Sequence, residues 1–164
     1  MTRKLYLDQN YLSGIAKGKP GFPELEASLR AAIAQGAVIV LESAVHEAES
    51  RPRPDLRLLE LLRELSAGHR LPDRPDRAAR EVRRRMFQTI GQELPERRSR
   101  ASDAADLEAL AGALVHCDLV TCDAFMADVI RRTRLDLRHR CKLFTGRRTD
   151  VARLREELEG LRAP

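Results

Sequence analysis

Apolar and polar positions alternate over residues 4–7 and give way to Asp8-Gln9-Asn10, the pattern of a short strand running into a turn. Downstream, Pro23 is followed by Leu25, Leu29, Ala32 and Ile33, spaced for one helix face, with Pro near the helix start and Gly36 as its stop. Residues 37–41 form a compact apolar run with β-branched members and predict a buried strand. Ser43 then stands where an N-cap belongs, ahead of a short helix carrying His46, Glu47 and Glu49.

Arg51-Pro52-Arg53-Pro54 ends that helix. Residues 55–67 space Leu56, Leu59, Leu62 and Leu65 for a helix that Gly68 closes. Residues 71–76 are a proline-punctuated link, 77–90 a basic helix and 91–100 a charged loop. Ser102 is expected to cap a helix running to about residue 115, with Asp103 in the first turn, where the helix dipole favours an acid. Residues 118–121 predict a third strand, 123–132 a helix, 141–144 a fourth strand and 149–161 a closing amphipathic helix. Strands separated by helices predict an α/β fold. One domain is expected, a parallel β-sheet flanked by helices, with an inserted helical segment over about residues 52–100.

Length agrees with a single core, since the chain has 164 residues. No apolar run approaches the roughly 18–20 residues of a membrane span. The residues before Asp8 lack the apolar stretch of a signal peptide, so a cytoplasmic, non-membrane protein is expected. Three cysteines, Cys117, Cys122 and Cys141, show no CxxC pairing, which argues against a disulfide framework or a zinc site and for small core residues. Aromatics make up only 4% and there is no Trp, so no base-stacking platform is expected.

Charge is more informative in its distribution than in its net value of +5. Residues 74–100 hold nine Arg against four acids, a balance of +5. Residues 131–148 hold seven Arg and one Lys against one acid, a balance of +7. Between them, residues 101–130 contain six acids and no Lys or Arg. An acidic block between basic arms points to a cation-binding spot beside a polyanion-binding surface.

The acids gather where parallel sheets bind ligands, at the carboxyl ends of the strands. Asp8, the Glu47/Glu49 pair and Asp123 lie at or just beyond such ends, and Asp106 sits one turn into the helix leading to the third strand, on the same face as Asp103. Converging carboxylates repel unless a cation joins them. Hard oxygen donors without a His or Cys cluster point to Mg²⁺ or Mn²⁺. Such an ion activates water for phosphodiester hydrolysis and offsets charge developing on the phosphate. Arg83, Arg84, Arg85, Arg131, Arg132, Arg147 and Arg148 are candidate nucleic-acid contacts. His46 has two readings, a general base or a packing residue near the site.

The motifs Leu5-Tyr6-Leu7-Asp8-Gln9-Asn10, Ser43-Ala44-Val45-His46-Glu47-Ala48-Glu49, Asp106-Leu107-Glu108-Ala109-Leu110-Ala111 and Leu119-Val120-Thr121-Cys122-Asp123 together resemble the PIN-like ribonucleases, including VapC-type toxins. The likeness spans roughly residues 4–130. It implies a metal-dependent endonuclease acting on RNA, with Asp8, Glu49, Asp106 and Asp123 as both catalytic residues and metal ligands. The family's spacing from Ser43 selects Glu49 over Glu47. Asn10, Glu47, Asp103, Asp118 and Thr121 are implied supporting residues, Thr121 as the hydroxyl that helps place water. A homodimer, and an antitoxin or other regulatory protein, are implied as candidate partners, although the arginine-rich insertion departs from the compact toxin form. The competing expectations are a non-catalytic nucleic-acid-binding or scaffold module with the same fold, and a structure-specific or single-stranded DNA nuclease.

Overall fold

Short hydrophobic runs become the strands of a four-stranded, all-parallel sheet in the computed structural model, which describes residues 1–51, 57–96 and 103–162. The strands are β1 (Arg3–Tyr6), β2 (Val38–Val40), β3 (Leu119–Thr121) and β4 (Lys142–Phe144), in the order β2-β1-β3-β4. Leu5 pairs with Val40 on one side and Leu119 on the other, so β1 is central and buried on both faces.

Helices cover both faces. On one face lie α1 (Gln9–Ala16), α2 (Phe22–Ala34), α4 (Leu58–Ser66) and α9 (Arg148–Leu161), which enclose Leu5, Leu12, Leu25, Leu62 and Leu154. On the other lie α5 (Arg77–Glu93), α6 (Asp103–His116), α7 (Ala124–Thr133) and α8 (Leu135–His139), around Met86, Leu114, Val120, Ile130 and Leu143. The short α3 (Ala44–Ser50) follows β2 at the carboxyl edge. Fully burying each such side chain contributes on the order of 1.5–3 kcal/mol, so both layers are held chiefly by apolar burial. Among the described residues no helix is long and apolar enough to cross a membrane.

The α/β architecture, the strands and most helices match the expectation. Residues 9–16 do not, since they form a helix where a turn was expected. Ser13 and Gly14 weaken its local propensity, but Asp8 caps it and Tyr11, Leu12 and Ile15 are buried, so packing decides. Gly14 serves close approach, because a Cβ there would lie 2.6 Å from the Phe22 ring. Helix α8 is likewise absent from the sequence reading, and α5 continues through Gly91 to Glu93, into the expected loop. Gly36 ends the region after α2 with φ +69°, as its stop role requires. The Pro52–Pro54 break, the start of the helix expected at 55 and the Ser102 cap lie outside the described residues.

The inserted segment is not a separate lobe. Leu58, Leu62 and Leu65 of α4 enter one core, and Val82 and Met86 of α5 enter the other. Between these helices, Arg70 pairs with the buried Glu42 at 2.7 Å, and a backbone bridge joins the two residues alongside the end of β2. That bridge covers part of a sheet edge that would otherwise expose unpaired backbone groups.

Candidate acidic site at the carboxyl edge of the sheet

The chain leaves β1 toward the face of α1 and α2, and leaves β3 toward the face of α7 and α8. Adjacent strands that depart to opposite faces open a crevice between their carboxyl ends. Asp8 follows β1 and Asp123 follows β3, so the two acids flank it. Each caps the helix that starts there. Asp8 Oδ1 accepts from the Tyr11 N–H at 3.3 Å, and Asp123 Oδ1 accepts from the Met126 N–H at 2.7 Å.

Glu49 in α3 and Asp106 in the first turn of α6 complete the set. All four carboxylates line one cleft of about 150 Å³, together with Gln9, Asn10 and a floor that includes Tyr6, Cys122 and Met126. Glu49 and Asp106 stand beside each other on the cleft wall, so ionising one disfavours ionising the other. Burial, and then Asp106 beside it, push the Glu49 carboxyl up to about 8. Burial, with a smaller contribution from the charge of Asp123, raises Asp8 to about 6 against the opposing bonds from Thr121 and Tyr11.

Thr121 has a partner other than water. Its buried hydroxyl donates to Asp8 Oδ1 at 2.9 Å and accepts the Asp8 N–H at 2.7 Å, and Thr121 does not line the cleft. Thr121 therefore acts on the cleft by holding Asp8.

His46 follows the second of its two expected readings, a packing residue beside the site. It is fully buried, its ring lies 5.0 Å from that of Tyr6, and it is absent from the cleft wall. Nδ1 accepts the Ser43 N–H at 2.9 Å, so Nε2 carries the hydrogen and donates to the Leu7 carbonyl at 2.6 Å. Burial lowers its pKa. A neutral His46 with both nitrogens engaged ties α3 to the end of β1, which fixes Glu49 relative to Asp8.

The other expected site residues separate by position. Asn10 lines the cleft. Glu47 is half exposed, pairs with Arg51 at 3.7 Å and stays out of the cleft, so the structure favours Glu49. Asp103 is buried but outside the cleft wall. Asp118 stands at the opposite, amino end of β3, where it accepts from Arg3 at 3.0 Å and from the Lys4 N–H at 2.8 Å, a structural role. Gln9 and Tyr6 line the cleft without having been singled out in the sequence. The Gln9 Oε1 is buried there with no hydrogen-bond partner. Only the tertiary fold could reveal them, since neither residue type carries a motif signal.

Two of the expected phosphate-binding arginines are occupied. Arg84 bonds both oxygens of Glu81 at 2.8 Å, and Arg132 pairs with Asp128 at 2.8 Å and Glu93 at 3.3 Å. Among the described residues no ion pair engages Arg83, Arg85, Arg131, Arg147 or Arg148. The cysteines are buried, and burial pushes the Cys117 and Cys141 thiols up to about 12, which suits core residues rather than nucleophiles.

The donor set is all oxygen, as a hard divalent cation requires. Burial first, and neighbouring carboxylates second, raise both Glu49 and Asp8. Among the described residues no three His, Cys, Asp or Glu side chains converge as a ready-made ion site, so chemistry fits the cation while side-chain rotation would have to complete the shell. No protein-family model matches the chain, and neither a curated protein nor a solved structure matches it.

Proposed function

We propose that the chain is a metal-dependent nuclease of the PIN-like type, hydrolysing phosphodiester bonds in RNA. The observation that carries this reading is the meeting of Asp8, Glu49, Asp106 and Asp123 in one cleft at the β1/β3 crevice, although they come from four separate elements. In the reaction a water oxygen adds to phosphorus, the ester P–O bond breaks, and the proton released from water balances the charge gained by the leaving oxygen.

The four carboxylates would hold Mg²⁺ or Mn²⁺, which when bound supplies Lewis acidity toward water and phosphate. The chain's own residues do the rest. Thr121 and the Tyr11 N–H orient Asp8, and the Met126 N–H orients Asp123. Glu49 holds its proton near neutral pH and would have to give it up to serve as a ligand. Arg131 and Arg147, free of acidic partners among the described residues, offer charge to flanking phosphates.

A panel of labelled RNA, single-stranded DNA and flap DNA, incubated with Mn²⁺ or Mg²⁺, tests the reading. RNA cleavage that EDTA abolishes and Asp8→Asn removes, with RNA binding retained, is expected. A second reading, a non-catalytic nucleic-acid-binding module, is supported by the lack of three converging ligands among the described residues. Binding without cleavage of any substrate under either metal would establish that second reading and overturn the first.

A further inference from the structure

Helix α5 buries Ala79, Val82, Met86 and Thr89 and turns its arginines outward. Amid those arginines sits Phe87, whose side chain is 68% exposed and makes no ring contact within the described structure. A single exposed apolar residue is ordinary; its neighbours are not. At 3.6 residues per turn, Arg80, Arg83 and Arg84 lie one and two turns before Phe87 on the same side of the helix. The helix carries five arginines against Glu81 and Glu93, and Glu93 is already paired with Arg132.

The end of α5 that holds Phe87 also lies on the Asp106 side of the α5–α6 pair. Asp76, the N-cap of α5, pairs with His116 at the far end of α6 at 3.0 Å, and α5 packs along α6. The two helices therefore run antiparallel, and the half of α5 that holds Phe87 lies beside the half of α6 that holds Asp106.

We infer that this face of α5 grips a single-stranded nucleic acid, with Phe87 stacking on a base while Arg80 and Arg83 contact phosphates. Charge complementarity selects a polyanion over an apolar protein partner. The exposed ring selects a single strand over a duplex, because a duplex keeps its base faces inside the stack and offers Phe87 none. Single-strand preference deepens the nuclease reading and rests on it for the identity of the substrate.

The test uses the full chain carrying Asp8→Asn, with fluorescence anisotropy on a labelled single-stranded RNA and on its duplex. Phe87→Ala is expected to weaken single-strand binding roughly 5- to 150-fold, the range for one stacked base. Duplex binding and thermal stability should stay unchanged, and Phe87→Trp should restore single-strand affinity. Arg83→Ala should weaken both substrates and flatten the salt dependence. Unchanged single-strand affinity in Phe87→Ala overturns the inference, as does a shift in oligomeric state by sedimentation, which would make the face a self-association surface. Phe87-dependent binding in a protein whose wild type cleaves no substrate would support the face and defeat the nuclease reading. Cleavage without Phe87 dependence would do the reverse.

Discussion

The Thr121 hydroxyl donates to Asp8 Oδ1 at 2.9 Å and accepts the Asp8 backbone N–H at 2.7 Å, so one side chain on β3 holds both the carboxylate and the backbone at the end of β1. The contact joins the two strands at the crevice where the acids meet. Its hydrogen bond also lowers the pKa of Asp8 against the effect of burial. Thr121→Val keeps the shape and removes both bonds. A loss of about 1–3 kcal/mol in denaturant unfolding is expected, from the orphaned Asp8 N–H. Thr121→Ser should retain most of it. Equal stability of the Val and Ser variants would show that the clamp is energetically idle.

Glu49 should destabilise the fold as pH rises. Its folded pKa of about 8 exceeds the ordinary 4.5, so between those values the folded state binds more protons than the unfolded state. Stability therefore declines with increasing pH across that window. Glu49→Gln removes the ionisation, and its melting temperature should exceed that of the wild type at pH 8 but match it near pH 4.5. A lower melting temperature at pH 8 would contradict the sign.

Cation binding should release protons. Glu49 near 8 and Asp8 near 6 must both be ionised to serve as ligands, so Mn²⁺ affinity should climb between about pH 6 and 8. Calorimetry in buffers of different ionisation heat is expected to count about one proton per ion at pH 7. Glu49→Gln should weaken binding and Glu47→Gln should not, because Glu47 faces Arg51 outside the cleft. A pH-independent affinity would remove these carboxylates from the ligand set.

His46 gives the opposite pH trend. Its folded pKa lies below the ordinary 6.5, so below that value the unfolded state takes up a proton that the folded state refuses. Stability contributed by neutral His46 is present above about pH 6.5 and is lost on acidification. His46→Leu leaves the Leu7 carbonyl and the Ser43 N–H without their partner and should cost about 1–3 kcal/mol at pH 7.5, with a flatter pH profile below 6.5. A variant whose acid sensitivity equals that of the wild type would assign the transition to other groups.

Periodicity made the four parallel strands legible because each is a short apolar run between polar turns, and helices such as α2 and α9 because their apolar stripes are regular. Asp8 and Asp123 were legible because an acid at the end of an apolar strand is a local pattern. Helix α1 was not, since Ser13 and Gly14 give weak propensity and its stability comes from burying Tyr11 and Leu12 against distant residues. The partners of Thr121 and His46 were not legible for a related reason. Each bonds a residue far away in sequence, Asp8 and Leu7 respectively, and local pattern carries no information about such partners.

By itself the sequence determined the α/β class, the order of the elements and the segregation of an acidic block between basic arms, all of which follow from local composition and period. The tertiary structure alone decided that Arg84 and Arg132 are already paired, that Thr121 clamps Asp8, and that Phe87 faces outward. These depend on helix phase and on which side chains meet across the sheet, and packing sets both.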